Sequence, residues 1–305
     1  MSRELLRAVY RKALHQVSKF CRRGRNVFEE EWDVLLVVDG CRLDLFEEAV
    51  RDGAFSFERG ESIWSLDSMT RAWMQKTFVE SYAAKIERTH YICGNPFSSE
   101  AIDGERLASL DEAWRYHWDD EAGTIHPRPL TDRAIAHGRE RGRHESERLL
   151  VHYMQPHWPF LRAPETSAGQ GLDIEGIVGE SEQYQAWENN PNDVWERLRR
   201  GTVSEEEVWA GYLDNLRLVL RDVELLLENY DADRVVITSD HGNAMGEWGI
   251  YGHPLHMPIA ALRRVPWVET NATDERTHDP DPMHLESRSV SAKVATKLDQ
   301  LGYRE

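Results

Sequence analysis

Two residues with complementary metal-binding chemistry, Asp240 and His241, stand side by side after the run Val235 to Thr238. That run is β-branched and predicts a buried strand, and open α/β sheets bind their ligands at the carboxyl ends of strands. A carboxylate oxygen beside an imidazole nitrogen suits Mn²⁺, Zn²⁺ or Mg²⁺. Glycines let the following loop turn tightly, so His253 at its end can fold back toward the pair. Taken alone, the Asp-His-Gly sequence also fits an ordinary surface turn.

A second carboxylate, Asp39, ends another continuous apolar run, which begins at Trp32. If both runs are strands of one parallel sheet, Asp39, Asp240 and His241 converge at one edge and form a metal site. An aspartate at the end of a strand can instead cap the next helix. The D-x-x-R-x-D pattern from Asp39 to Asp44 favours the metal site over capping alone.

Two hydroxyl residues, Ser68 and Thr70, stand where a helix is predicted to begin. The positions that follow recur at helical spacing and define its inner face: Trp73, Met74, Thr77 and Phe78. A hydroxyl at a helix N-terminus faces the positive end of the helix dipole and free N–H groups, which stabilise an alkoxide nucleophile and an incoming oxyanion. Either residue can equally be a plain N-cap.

A histidine between two prolines, His157, follows a third apolar run that starts at Leu149. Pro156 and Pro159 restrict the backbone around it. A histidine held in this way at the end of a strand is suited to binding an anion or a metal. His152 is interpreted as an ordinary residue within the strand.

The elements between these positions predict an α/β fold with a largely parallel sheet. Glu205 to Asn229 predicts a long helix that leads into the Val235 strand, as the crossover of a β-α-β unit does. Residues 161–203 are rich in Gly, Glu, Asn and Pro and predict an excursion, either a lid or a loosely ordered insertion. Further predicted features are a strand and turn at 90–97, polar helices with a loop at 126–129 within 101–147, a strand at 254–262, an exposed acidic segment at 269–288 and a closing helix at 290–301.

Charge divides the chain into a basic N-terminal segment and an acidic remainder. Residues 1–30 predict a basic amphipathic helix, which can contact an anionic membrane through residues 1–26 or pack on the single domain of residues 31–305. The net charge of −17 and the scarcity of lysine indicate salt adaptation, although a merely acidic protein has a similar composition. The same charge argues against a nucleic-acid partner.

The three cysteines, Cys21, Cys41 and Cys93, have no spacing typical of a disulfide framework or a metal site. They fit a reducing compartment. No apolar run approaches the length of about 18 residues that a membrane-spanning helix needs, and no signal peptide is evident. The sequence therefore predicts a cytoplasmic protein, with peripheral membrane contact as the alternative.

With these features in order, the chain resembles the alkaline phosphatase/sulfatase superfamily from about Asp33 to Val265. Four features carry the resemblance, in the family's own order. They are the Asp39 strand with its D-x-x-R-x-D pattern, Ser68-Met-Thr70-Arg71 at the helix start, the P-H-x-P segment at His157, and the S-D-H-G…G-E…H motif from Ser239 to His253. The resemblance implies an alkaline-phosphatase-like three-layer sandwich, with a largely parallel central sheet flanked by helices, in a salt-adapted protein of archaeal type.

The chain departs from the sulfatases at the nucleophile and at the metal site. It has no C-x-P-S-R sequence, so the formylglycine of true sulfatases is absent, and Cys41 is not at the nucleophile position. Thr70, next to Arg71, is the first choice of nucleophile and Ser68 is the alternative. Only one acidic residue, Asp39, ends its strand where sulfatases commonly have two, which points away from their calcium site toward a transition metal.

The resemblance implies a metal-dependent hydrolase of phosphate or sulfate esters. It implies a tightly bound divalent ion, Mn²⁺, Zn²⁺ or Mg²⁺, that lowers the pKa of the nucleophilic hydroxyl. One ion is favoured over two, because no further carboxylate is available for a second site. The implied ligands of the first ion are Asp39, Asp240, His241 and the Thr70 oxygen, and those of a second ion would include His157 and His253.

The remaining site residues are assigned to the transferred group. Arg71 would steady its equatorial oxygens, and His157 and His253 would contact it or protonate the leaving group. Two other functions stay open: a phosphotransferase that modifies lipids or glycans, and a catalytically degenerate protein that binds a phosphorylated or sulfated glycan. The expected partner is a small-molecule, glycan-linked or lipid-linked phosphate or sulfate ester.

Overall fold

The computed structural model describes residues 24–58, 60–141, 147–163 and 193–287. The strands in chain order are β1 (Val34–Asp39), β2 (Glu61–Trp64), β3 (Thr89–Cys93), β4 (Ser109–Asp111), β5 (Trp118–Asp119), β6 (Thr124–Ile125), β7 (Arg148–Pro156), β8 (Ala232–Thr238), β9 (Ala244–Met245), β10 (Tyr251–Gly252) and β11 (Arg264–Ala272). Seven of them form one sheet in the order β2-β11-β8-β1-β7-β3-β4. The pairs β5-β6 and β9-β10 form two small ribbons.

The middle of the large sheet is parallel and buried. β1 pairs in parallel with β8 on one side and with β7 on the other, and β3 and β4 continue the parallel arrangement. Every residue of β1 and of β7 is buried, as continuous apolar runs predict for strands that are covered on both faces. β11 is antiparallel to both of its neighbours, β8 and β2.

Helices in the connections flank the sheet. They are α1 (Leu43–Ala49), α2 (Thr70–Thr77), α3 (Ala83–Ile86), α4 (Ser98–Ala101), α5 (Trp114–His117), α6 (Pro127–Arg141), α7 (Val194–Arg200), α8 (Glu205–Leu227), α9 (Ala260–Arg263) and α10 (Pro282–Leu285). Short 3₁₀ turns lie at Val27–Glu29, Glu80–Tyr82, Gly104–Arg106 and Glu247–Gly249. The predicted fold class, an α/β protein with a largely parallel central sheet between helices, is confirmed.

α8 is the crossover helix that the sequence predicts before β8. The Ser204 hydroxyl accepts the backbone N–H of Glu207, and the Glu207 carboxylate accepts the backbone N–H of Ser204, which makes a capping box. The apolar face of α8 packs on β7 and β1. Its buried side chains include Val208, Tyr212, Leu216, Val219, Leu220, Val223 and Leu227.

Two predicted elements are wrong. The loop predicted at 126–129 contains the start of α6, because a proline fits the first helical position, where its missing N–H is not needed. The strand predicted at 254–262 does not form, and β11 begins only at Arg264. Pro254 and Pro258 lack the N–H groups that a strand ladder needs. The nearby apolar side chains instead form a small separate core: Ala244, Ile250, Met257, Ile259 and Leu262.

Several predicted segments lie outside the described residues. These are residues 1–23 of the basic helix predicted at 1–30, most of the 161–203 excursion, and the closing helix at 290–301. Within residues 24–30, Val27–Glu29 form a 3₁₀ turn in which Val27 and Phe28 are buried. No helix in the described ranges is long and apolar enough to cross a membrane.

Candidate metal centre and nucleophile

The two strands with predicted metal ligands end side by side. β1 and β8 are neighbours in parallel register, with Val37 opposite Thr238. Asp39, at the end of β1, and Asp240, just beyond β8, therefore reach the same edge of the sheet. Both side chains are fully buried.

Each carboxylate has one oxygen that accepts hydrogen bonds and one that accepts none. The Oδ1 of Asp240 accepts the backbone N–H groups of Gly40 and His241, both at 2.9 Å. The Oδ2 of Asp39 accepts the Asn95 amide at 2.6 Å and the Thr70 hydroxyl at 3.2 Å. Among the described residues, Asp240 Oδ2 and Asp39 Oδ1 have no hydrogen-bond donor although both are buried. Such oxygens are costly to bury unless a cation binds them.

His241 completes a set of three ligand atoms with these two oxygens. Its Nδ1 lies 2.9 Å from the carbonyl oxygen of Gly242 and donates to it, so the neutral ring presents a lone pair at Nε2. That nitrogen lies 3.4 Å from Asp240 Oδ2 and 3.8 Å from Asp39 Oδ1. Ligand atoms bound at about 2.0–2.2 Å to one tetrahedral ion are separated by about 3.3–3.6 Å. The three residues therefore fit a divalent cation.

The ionisation of Asp39 suits a metal ligand. Burial by itself raises the pKa of the Asp39 carboxyl, but the contact with His152 acts against this effect, and the pKa lies well below its usual value. Asp39 is therefore a buried, ionised carboxylate. Within the described part of the chain, neither Asp39 nor Asp240 forms an ion pair with a lysine or an arginine.

Thr70 lies against this set of ligands. Its Oγ1 is 3.1 Å from His241 Nε2 and 3.2 Å from Asp39 Oδ2. Thr70 is the first residue of α2, and Met69 is the N-cap without a side-chain hydrogen bond. The interpretation of Ser68 or Thr70 as the N-cap is therefore wrong, because both hydroxyls have other partners. Thr70 still faces the positive end of the α2 dipole.

Ser68 has a different environment from Thr70. Its hydroxyl donates to the carbonyl oxygen of Pro254 at 2.6 Å and accepts the backbone N–H of Met257 at 2.8 Å. Both contacts are to the backbone of the loop that follows His253. Ser68 thus fastens this loop to the start of α2.

His157 and His253 form a buried pair beside His241. His157 Nδ1 donates to the carbonyl oxygen of Trp158 at 2.5 Å, and His157 Nε2 lies 2.9 Å from His253 Nε2. In neutral rings, His253 is consequently the donor and His157 the acceptor. Burial lowers the pKa of both imidazoles, that of His253 more strongly. The His253 ring stacks on His241 with a centroid distance of 4.7 Å, so the predicted fold-back of this loop is present.

Arg42 explains the D-x-x-R-x-D pattern structurally. Its guanidinium makes two hydrogen bonds to the Asp44 carboxylate, at 2.8 and 2.7 Å, and a third to Glu247 at 2.6 Å. It also donates to the carbonyl oxygen of Asn243 at 3.0 Å. Arg42 thereby ties the loop after β1 to the loop after β8.

Arg71 lies next to Thr70 but at the rim of the site. Its side chain is one-third exposed and pairs with Glu100 at 3.1 Å. Its Nε is buried and has no hydrogen-bond partner among the described residues. The guanidinium of this neighbour of Thr70 therefore has a donor that no described residue accepts.

Two residues beside Asp39 are not among the site residues that the sequence predicts. Asn95 follows β3 and donates to Asp39 Oδ2, and His152 Nε2 lies 3.4 Å from the same oxygen and 4.0 Å from Asp240 Oδ2. His152 Nδ1 contacts the Tyr91 hydroxyl at 2.9 Å. The interpretation of His152 as an ordinary strand residue is incomplete, because β7 places it directly beside the end of β1.

Solved structures with this architecture identify the fold. The integral membrane protein lipooligosaccharide phosphoethanolamine transferase A from Neisseria meningitidis is similar, with a TM-score of 0.50 and 12% identity, over 86% of this chain and 52% of that one. This chain therefore shares the fold of that transferase. A putative sulfatase from Bacteroides thetaiotaomicron has a TM-score of 0.48 and 13% identity, over 90% of this chain and 71% of that one.

The likeness to these solved structures lies in the fold. The chain spans about half the length of the Neisseria transferase. No protein-family model matches the sequence, and no curated protein matches it. The predicted fold is confirmed.

Proposed function

We propose that the chain is a metal-dependent hydrolase of phosphate or sulfate esters with Thr70 as its nucleophile. The observation that carries this proposal is the position of the Thr70 hydroxyl, within 3.2 Å of both His241 Nε2 and Asp39 Oδ2. Two buried carboxylate oxygens lie beside it, and no described residue donates a hydrogen bond to either of them. Thr70 is preferred to Ser68, because the Ser68 hydroxyl is committed to backbone groups of a loop.

The ligand set defines where the ion would act. Asp39, Asp240, His241 and Thr70 Oγ1 would hold one divalent ion, which when bound lowers the pKa of the hydroxyl and offsets the charge of the ester oxygens. Thr70 Oγ1 loses its proton and forms a bond to phosphorus or sulfur as the bond to the leaving oxygen breaks, and the leaving oxygen takes up a proton. In the second step, water attacks the same atom and loses a proton, the bond to Thr70 Oγ1 breaks, and Thr70 Oγ1 takes up a proton, so that the free hydroxyl is restored.

His157, His253 and Arg71 are assigned to the transferred group. Both imidazoles are neutral near pH 7 because burial lowers the pKa of each. His253 Nε2–H donates a hydrogen bond to His157 Nε2. An ester oxygen could replace His157 as the acceptor of this hydrogen bond. Arg71 would supply positive charge through the Nε that has no partner in the described residues.

A phosphotransferase shares the first step with a hydrolase. The two reactions differ only in whether water or an acceptor alcohol attacks the modified threonine. The membrane contact of residues 1–26, which would favour a lipid acceptor, stays a prediction, as does the cytoplasmic location. A glycan-binding protein without activity would lack the first step altogether.

The test compares Thr70→Ala with Ser68→Ala. Each variant and the wild type are loaded with Mn²⁺ or Zn²⁺ and assayed on p-nitrophenyl phosphate, bis-p-nitrophenyl phosphate and p-nitrophenyl sulfate, with and without glycerol as acceptor. Thr70→Ala should lose at least about 1,000-fold in kcat/KM, because it removes the group that forms the covalent bond. Ser68→Ala should keep turnover and lose about 1–3 kcal/mol of stability, because it leaves a buried N–H and carbonyl unpaired.

Mass spectrometry of the quenched reaction supplies an independent reading. A phosphorylated or sulfated Thr70 is expected in the wild type. Glycerol phosphate or glycerol sulfate among the products would show the transferase reaction. Equal activity in Thr70→Ala and the wild type would refute the assignment of the nucleophile.

A further inference from the structure

Among the hydrogen bonds to the carboxylates of Asp39 and Asp240, the one that Asn95 donates is the shortest. Its Nδ2 donates to Asp39 Oδ2 at 2.6 Å, and both side chains are almost completely buried. A bond from an amide to an ionised carboxylate in such a place is charge-assisted and strong. Asn95 therefore has a large influence on how Asp39 is oriented.

The direction of the Asn95 amide is fixed by its other end. Asn95 Oδ1 accepts the backbone N–H of Phe97 at 2.9 Å, so Nδ2 is the end that faces Asp39. The main chain is held as well, since the Asn95 carbonyl accepts the backbone N–H of Ser98 at 3.1 Å. The donor is thus built into the turn that leads from β3 to α4.

The second oxygen of Asp39 has no capacity left for a cation. Asp39 Oδ2 already accepts from Asn95 and from Thr70, and His152 Nε2 lies 3.4 Å away on the inner side. Asp240 Oδ1 likewise accepts hydrogen bonds from two backbone N–H groups. Each aspartate is left with one oxygen that has no donor among the described residues, so a bridge in which the two oxygens of one carboxylate bind two different ions is not available.

We propose that Asn95 is a positioning residue that confines Asp39 to a single metal contact through Oδ1 and so limits the centre to one divalent ion. This inference rests on the proposed metal-dependent function. Asn95 acts through Asp39 and contacts neither the ester nor the ion. Its removal should loosen the ligand geometry rather than remove a ligand.

The experiment measures metal binding in two variants and a control. Asn95→Ala removes the donor, and Asn95→Asp keeps the size and the acceptor for Phe97 but puts an acidic oxygen in place of the N–H group. Asn229→Asp is the matched control, because Asn229 is equally buried but contacts Arg139 and Thr277, away from the site. Full-length proteins are titrated with Mn²⁺ by calorimetry, and the Co²⁺-loaded forms are compared by visible absorption.

The wild type and Asn229→Asp should bind one ion with the same Kd and the same Co²⁺ spectrum. Asn95→Ala and Asn95→Asp should bind about 10–100-fold more weakly, with a changed Co²⁺ spectrum and a cooperative unfolding transition in the metal-free state. If Asn95→Ala does not fold, the isosteric Asn95→Asp carries the comparison. Wild-type Kd and spectrum in both Asn95 variants, or two ions in the wild type, would overturn the inference. Absence of binding in the wild type would instead overturn the proposed function.

Discussion

Acidic side chains lie at both ends of the parallel strands of the central sheet, but the pairing of these acids with lysine and arginine differs between the two edges. At the carboxyl edge, Asp39 and Asp240 are buried, and in the described ranges neither has a lysine or arginine partner. At the opposite edge, acids and bases line one cavity of about 250 Å³ together: Glu31, Asp33, Glu147, Asp233, Arg88, Arg148 and Arg234, with Trp32. At the opposite edge the acidic and basic side chains neutralise each other, whereas at the carboxyl edge negative charge is left that a cation could bind.

Glu31 shows how the opposite edge is balanced. Its carboxylate lies 2.6 Å from the Lys85 ammonium and 2.5 Å from the Arg148 guanidinium. The hydrogen bond from Lys85, helped by the charge of Arg148, lowers the pKa of Glu31. Arg148 also lies over the Trp32 ring at 4.8 Å. The candidate metal centre is therefore distinguished by buried charge without a lysine or arginine partner in the described ranges, and not by the size of a cavity.

Changing one acid to its amide at the carboxyl edge should stabilise the metal-free protein. Asp240→Asn keeps the Oδ1 acceptor for two backbone N–H groups but replaces the buried, donor-less oxygen with an uncharged group. The free energy of unfolding in the presence of a chelator should rise by about 1–3 kcal/mol. Urea unfolding of both proteins measures the difference, and a loss of stability would mean that Asp240 is already compensated.

Changing an acid to its amide at the opposite edge should lower the free energy of unfolding, and by a smaller amount. Glu31→Gln removes one partner of Lys85 and Arg148, and the Glu31 side chain is 59% exposed. The free energy of unfolding should fall by less than about 1 kcal/mol, because solvent screens such pairs, and turnover should stay at the wild-type value. A loss of several kcal/mol in the same urea experiment would show that the edges do not differ as described.

The strands and the crossover helix could be predicted because their signals are local. β1 is a continuous apolar run up to Asp39, and β7 and β8 contain the apolar runs at 149–151 and 235–237. α8 has both its capping box and its apolar face within a single stretch of sequence. The failed strand at 254–262 was predicted from apolar content alone. The segment does not form a strand because its prolines lack N–H groups and its apolar side chains pack in a separate small core. That core depends on tertiary packing, which the local sequence does not show.

The site could be predicted only as far as its residues lie in motifs. Asp39, Asp240 and His241 follow strands, so the parallel sheet that their runs predict brings them to one edge. Asn95 and His152 join the site through the pairing of β3, β7 and β1, in which His152 lies opposite both Val37 and Cys93. No local pattern encodes that strand order. A polar residue at the end of a predicted strand was the available signal for Asn95.

A calorimetric titration of Mn²⁺ into the full-length protein, beside Asp240→Asn, at high salt, tests most directly whether the carboxyl edge binds a metal. We expect one ion per wild-type chain and no measurable binding in the variant, because Asp240 Oδ2 is one of the two carboxylate oxygens that would hold the ion. A wild-type protein that binds no ion, or a variant that binds with the wild-type Kd, would contradict the claim that the carboxyl edge is a metal centre.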